Sequence, residues 1–247
     1  MRTKEHRSHF ADYINGADKY FRRDDTKLAQ LLGELCPHKG EDYLNSKWKR
    51  SLDLTIGVPS SILATPVIIS LATAKLIEDG HSPFFISMRS TDISEKCNKD
   101  LPVIKIRSMK PDSDLGSKAN TEITRGLRAE EDPRNTPLGK LMRKYQLEEL
   151  PQLYQAVLGQ MTLLGIRASS KDLVDSKFQW SQKRFNKWTN AYNSSKPGLS
   201  GLFQTFGTPQ KGDQDNYHLD MFYYNNANLG LDMYLILRTA LRLSRLK

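Results

Sequence analysis

The sequence predicts an α+β fold, mostly helical: a small membrane-associated cytoplasmic domain with a short β-hairpin and amphipathic interfacial helices. Three observations predict it. Leu54 to Ala74 carries no charged residue and is long enough for a membrane helix. Two short apolar runs, Phe84–Ile86 and Val103–Ile106, flank the polar segment Ser90–Asp100, as the strands of a hairpin would. Apolar residues recur at helical spacing through Leu138–Leu158 and again through Leu229–Lys247. The expected organisation is an N-terminal extension over 1–46, a membrane helix over 47–78 and a cytoplasmic domain over 79–247.

The extension is polar and mixed in charge, with helical patterns at Phe10–Phe21 and Leu28–Leu35. Met1 to His9 is charged and no apolar run follows, so no cleavable signal is expected there. The uncharged stretch holds Pro59, Ser60, Ser61, Thr65 and Pro66. Proline breaks the internal hydrogen-bond ladder, and in lipid the freed groups need repair by Ser or Thr. Lys47, Lys49 and Arg50 precede the stretch and Lys75 follows it, so basic flanks give no orientation. A re-entrant helix that kinks at Thr65-Pro66 and returns to the same face reconciles these features; a helix buried in a soluble core is the alternative.

Residues 110–131 are charged and poor in apolar side chains, which predicts a mobile loop. Leu138, Leu141, Met142 and Tyr145 predict one helix; Leu147, Leu150, Leu153, Tyr154, Val157 and Leu158 predict a second. Pro151 fits only its first turn, and Gly159 is a stop. Trp180, Phe185, Trp188 and Tyr192 are spaced nearly as on a helix. The basic amphipathic tail either lies on an anionic membrane surface or packs on the core.

The net charge is +9, which favours anionic partners. No helix-turn-helix, zinc-finger or RRM pattern is present, so no nucleic acid is expected. Cys36 and Cys97 lack metal-ligand spacing and read as reduced cytosolic thiols.

Residues 143–167, RKYQLEELPQLYQAVLGQMTLLGIR, are the most informative. Glu148 and Glu149 open the second predicted helix, with Arg143 before them and Arg167 after. Acidic residues in a first turn can be explained by the helix dipole alone, and the arginines by surface ion pairs. A chemical reading needs the groups together. A carboxylate can attack phosphorus and form an acyl-phosphate. Neighbouring carboxylates can hold Mg²⁺, and arginines grip phosphate with paired donors. Glu148, Glu149, Lys105, Arg107, Arg143 and Arg167 supply that inventory.

In order along the chain stand KRSLDL at Lys49–Leu54, Thr65-Pro66, SPFFISMR, KIRSM at Lys105–Met109, DPRNTPLGKLMRK, LEELPQL, GQMTLLGIR, KPGLSGLFQ at Lys196–Gln204, LDMFYY and LDMYLILRT. This ordered set, over roughly residues 47 to 245, resembles the bacterial sugar transferases, the monotopic polyprenyl-phosphate phosphoglycosyl transferases. The resemblance implies a re-entrant membrane helix, a cytoplasmic domain at the bacterial inner membrane, and Mg²⁺ dependence. It implies that a nucleotide-diphosphate sugar donates its sugar phosphate to polyprenyl phosphate through a phosphosugar–enzyme intermediate. Glu148 takes the place of the family's nucleophilic aspartate and Glu149 that of its glutamate partner, both near the metal. Lys105, Arg107, Arg134, Arg143, Arg167 and Gln152 fall at positions expected to bind substrate.

The chain departs from the family pattern at the site. Glu148 replaces aspartate, Gln160-Met161-Thr162 replaces Asp-Met-Ser, and Ile166-Arg167-Ala168 replaces Pro-Arg-Pro. The glycines that usually follow Arg89 are absent, Thr208 replaces an arginine, and Ala227-Asn228 replaces a Trp-Ser pair. Frame residues kept while site residues change also fit a non-catalytic member, acting as scaffold or partner subunit in a homo- or hetero-oligomer with an active transferase.

Overall fold

The computed structural model describes residues 40–93, 100–111, 113, 131–169, 181–206 and 214–244. The expected helices at Phe10–Phe21 and Leu28–Leu35, all but the ends of the predicted loop, and Trp180 lie outside them. Helices α1 (Gly40–Leu44) and α2 (Lys47–Asp79) lead into the hairpin β1 (Phe84–Ser90) and β2 (Asp100–Ile106). Then come α3 (Pro137–Tyr145), a 3-10 turn (Leu147–Glu149), α4 (Gln152–Val157) and β3 (Thr162–Leu164). The chain continues through α5 (Gln182–Asn193), β4 (Gly198–Ser200), α6 (Leu202–Phe206), α7 (Gln214–Asn226) and α8 (Leu229–Ser244). The mostly helical fold with one short hairpin agrees with the sequence; a small parallel pair, β3 with β4, was not foreseen.

The 33 residues of α2 form one helix about 50 Å long. The Ser46 side chain accepts from the Lys49 N–H at its start, and Gly80 ends it at φ 70°, a left-handed conformation that glycine adopts freely. The sequence led us to expect a reversal at Pro66; instead helical geometry runs through both prolines. Hydroxyls reinforce the backbone there: Ser61 Oγ donates to the Val58 carbonyl (2.8 Å) and Thr65 Oγ1 to that of Ser61 (2.8 Å).

Leu52, Asp53, Gly57, Ser61, Ala64, Ile68 and Lys75 recur at helical spacing and are buried. Gly57 is tight against the domain, because a Cβ there would meet the Val157 side chain at 3.2 Å. The opposite face, with Ile62, Leu63 and Ile69, is apolar and exposed. The helix is long and apolar enough to cross a membrane.

Of the flanking basic residues Lys47 is exposed, but Lys49, Arg50 and Lys75 are bonded into the domain. Lys49 Nζ lies 2.5 Å from Asp232 Oδ2 in α8, and Tyr43 and Tyr223 donate to the same carboxylate (2.9 and 2.8 Å). Arg50 donates to the Ala156 and Val157 carbonyls at the end of α4. Asp53 accepts from Thr162 Oγ1 and from the Leu163 N–H (3.0 Å). At the far end Lys75, fully buried, binds Glu78, Asp79 and Thr136 Oγ1. Both ends of α2 are therefore bonded to the same domain.

The tail helix α8 packs on the core through Leu231 and Leu235 and leaves Met233 and Leu237 exposed. This favours the core-packing alternative for its inner face. In α5, Trp188 and Tyr192 stack at 4.9 Å within a cluster that includes Ile166 and Met221.

Candidate active site

The Glu148–Glu149 pair does not open an α-helix. Gln146, at φ 57°, ends α3 in a left-handed turn, and Pro151 has no N–H to extend an α-helical ladder backwards. The chain bridges the gap with tighter bonds, Glu149 N–H to the Gln146 carbonyl and Leu150 N–H to that of Leu147. Leu147, Leu150 and Leu153 pack beneath against Ile68, Ile106 and Met142. The two carboxylates thus project from a rigid turn braced by the apolar helix and the hairpin.

They face different surroundings. Glu149 Oε1 meets Lys105 Nζ on β2 at 2.5 Å and Arg167 Nη2 at 3.4 Å. Burial alone would raise its carboxyl; the nearby charges of Lys105, Arg167 and Arg89 outweigh that and hold it at about 2. Burial likewise pulls Lys105 down, opposed by Glu149. An open cleft here is lined by Arg89, Val103, Lys105, Glu149, Gln152, Met161, Arg167, Ala168, Gly198 and Leu199. Gln152 is buried, and its amide Nε2 has no hydrogen-bond partner.

Glu148 shows the opposite behaviour. Burial, and then repulsion from Glu149, push its carboxyl up, against the opposing charges of Lys105 and Arg143. Its Oε2 is buried with no hydrogen-bond partner. Arg143 is fixed from behind: its Nε donates to Ser108 Oγ at 2.9 Å, and Nη1 lies 3.7 Å from Asp132. Asp132 in turn takes two bonds from the Arg134 guanidinium, at 2.9 and 2.7 Å. The hydrogen bonds from the Arg134 guanidinium keep the Asp132 carboxyl low despite burial.

The predicted residues therefore divide. Glu149, Lys105, Arg167 and Gln152 share the cleft; Glu148 and Arg143 interact beside it; Arg134 stands behind, bound to Asp132. Arg107 goes elsewhere, donating to Asp79 at the end of α2 (2.6 Å). Thr65 and Pro66 lie on α2, where Thr65 Oγ1 approaches the Tyr154 hydroxyl. Arg89 was missing from the predicted set. Strand alternation could have found it: the register pairs Phe85 with Lys105 and Arg89 with Leu101, placing Arg89 on the Lys105 face of the hairpin.

Among the described residues no group of three or more His, Cys, Asp or Glu is gathered for a metal. Mg²⁺ commonly takes one or two carboxylates and keeps water and phosphate in its other positions. An orphaned buried oxygen on Glu148, raised by burial and by a neighbouring carboxylate, fits such an ion.

A family model described as bacterial sugar transferase matches residues 44–245. The chain belongs to the bacterial sugar transferase family. An undecaprenyl-phosphate galactose phosphotransferase of Salmonella typhimurium is 30% identical over 78% of this chain and 39% of its own length. The exopolysaccharide production protein ExoY of Sinorhizobium fredii is 27% identical over 77% of this chain and 83% of its own. A UDP-N-acetylgalactosamine-undecaprenyl-phosphate N-acetylgalactosaminephosphotransferase of Aeromonas hydrophila is 26% identical over 84% and 45%. The chain spans about two-fifths of the length of the Salmonella protein. The matched span includes the acidic turn, the hairpin that supplies Lys105 and the arginines around them.

The low carboxyl of Glu149 predicts an acid-sensitive contribution to stability. A group whose folded pKa is depressed stabilises above its unfolded value, here 4.5, and loses that contribution as pH falls toward 2. Glu149→Gln is expected to flatten the loss of stability over that window. Chemical denaturation in mild detergent at successive pH values checks this.

Proposed function

We propose that the protein transfers a sugar phosphate from a nucleotide-diphosphate sugar, a UDP-sugar, to polyprenyl phosphate at the cytoplasmic face of the bacterial inner membrane. The observation that supports it most is the contrast within the turn: Glu149 is clamped by cations, while Glu148 keeps an unpartnered buried oxygen. The relatives named for undecaprenyl-phosphate phosphotransfer support the substrate class.

In this reading a Glu148 carboxylate oxygen attacks the phosphorus that bears the sugar. The bond from that phosphorus to the nucleoside monophosphate breaks, and the monophosphate leaves with the electron pair. A phosphate oxygen of polyprenyl phosphate then attacks the same phosphorus. The acyl-phosphate bond breaks, freeing Glu148 and giving a polyprenyl diphosphate sugar. Lys105, Arg167 and Arg89 receive the donor diphosphate in the cleft, and Arg143 opposes charge beside Glu148. Glu149 holds Lys105 and Arg167 in place, and the Gln152 amide donates to substrate. Mg²⁺, held by Glu148 and Glu149, would neutralise charge on the phosphate oxygens.

The membrane assignment rests on α2. Exposed apolar side chains cover its outer face, more than a soluble surface tolerates. Because both of its ends are bonded to one domain, the helix meets the lipid with its outer face and does not cross it.

The test is incubation of purified protein with a panel of UDP-sugars, polyprenyl phosphate and Mg²⁺. Release of UMP with one donor, stopped by EDTA, is expected. Absence of release across the panel would count against the proposal.

A further inference from the structure

We propose that the Tyr154 phenol is a positioning residue that holds the apolar helix against the Glu148–Glu149 turn and serves the acceptor half of the reaction. This rests on the transferase reading above. Tyr154 lies in α4, five residues after Glu149, and its hydroxyl reaches α2: it is 2.5 Å from Thr65 Oγ1 and donates to the Ser61 carbonyl at 3.3 Å. Thr65 Oγ1 converges on the same carbonyl. The next residue, Pro66, has no N–H, so the Ile62 carbonyl lacks its helical donor and the ladder is interrupted here. Ile62 and Leu63, adjacent on the helix, face outward at 65% and 75% exposure. The contact therefore borders the proposed lipid face, where water competes little for hydroxyl partners.

The next residue of α4 is tied the other way. Gln155 Oε1 accepts from the Ile104 N–H (3.0 Å) and Nε2 donates to the Pro102 carbonyl (2.7 Å), bonding α4 to β2, the strand that carries Lys105. Gln155 thus secures the donor cleft, and Tyr154 secures the membrane helix to it. Loss of the phenolic oxygen loosens the middle of α2 beside the Glu148–Glu149 turn, while its bonded ends and the Lys105–Glu149 contact stay. A lipid-borne phosphate approaching along α2 is then misplaced, while a nucleotide donor is not.

Tyr154→Phe, Thr65→Val and the double variant are to be compared in lipid nanodiscs by two half-reactions. One is formation of the phosphosugar adduct from UDP-sugar; the other is its discharge to polyprenyl phosphate. Adduct formation is expected within about twofold of the parent. Discharge is expected to slow about threefold to tenfold in each single variant, the range a hydrogen bond contributes, and no further in the double. Unchanged discharge, additive losses, or equal slowing of both half-reactions would overturn the proposal. If the parent protein forms no adduct with any donor, the transferase reading fails, and the clasp is tested by stability. The same double-mutant cycle in thermal unfolding should then show coupling of about threefold to tenfold in the unfolding equilibrium; absence of coupling refutes the clasp itself.

Discussion

Glu148→Ala is expected to lower turnover by at least about a thousandfold, because it removes the proposed nucleophile together with one carboxylate proposed to hold Mg²⁺. Protein folding should be little affected. The Glu148 carboxyl is raised by burial and by Glu149, so at neutral pH its ionised form costs stability. The sign follows: a raised carboxyl stabilises below its unfolded pKa and loses that contribution as pH rises. Glu148→Gln should therefore be inactive yet at least as stable as the parent near pH 7. Glu149→Gln should also lose activity, for a different reason. It removes the anion between Lys105 and Arg167 and lets those cations repel. Steady-state release of nucleoside monophosphate and denaturation of each variant separate the two cases.

Lys49→Met is expected to destabilise the fold by about 3–5 kcal/mol, the cost of breaking a buried pair by removing one partner. Asp232 is fully buried and depends on Lys49, Tyr43 and Tyr223. Burial already holds its carboxyl above the usual range despite Lys49. Without the ammonium, an ionised carboxylate is left in an apolar interior, or it protonates. For a chain of this size the loss corresponds to roughly 10 °C in melting temperature. Asp232→Asn in the Lys49→Met background should recover part of it, because an uncharged amide keeps polar contacts with Tyr43 and Tyr223. Thermal unfolding in detergent reads both variants.

Much of the architecture was legible because it depends on local patterns. The charge-free run from Leu54 to Ala74 marked α2, and apolar runs marked the hairpin. Less was legible where a charge had to choose its partner. Lys105 and Arg107 are two residues apart, a spacing that keeps side chains on one face of a strand. The strand ends at Ile106, however, and the Arg107 side chain bonds Asp79 at the end of α2. Lys49 and Lys75 looked like charges flanking a membrane run. Both are buried, because distant Asp232 and Thr136 come to meet them. The acidic pair was legible as a pair, but not the asymmetry between its members. That asymmetry comes from β2 and the Arg167 segment closing on Glu149, and no helical period encodes it.

The central claim is that the Glu148 carboxyl becomes covalently attached to a sugar phosphate. Intact-mass and peptide analysis after incubation with UDP-sugar and Mg²⁺, with polyprenyl phosphate withheld, tests it directly. The expected result is one added sugar phosphate on the peptide containing Glu148, discharged when polyprenyl phosphate is supplied. No adduct with any donor, combined with an adduct that appears only in Glu148→Asp, would contradict it and mark the chain as a non-catalytic member of its family.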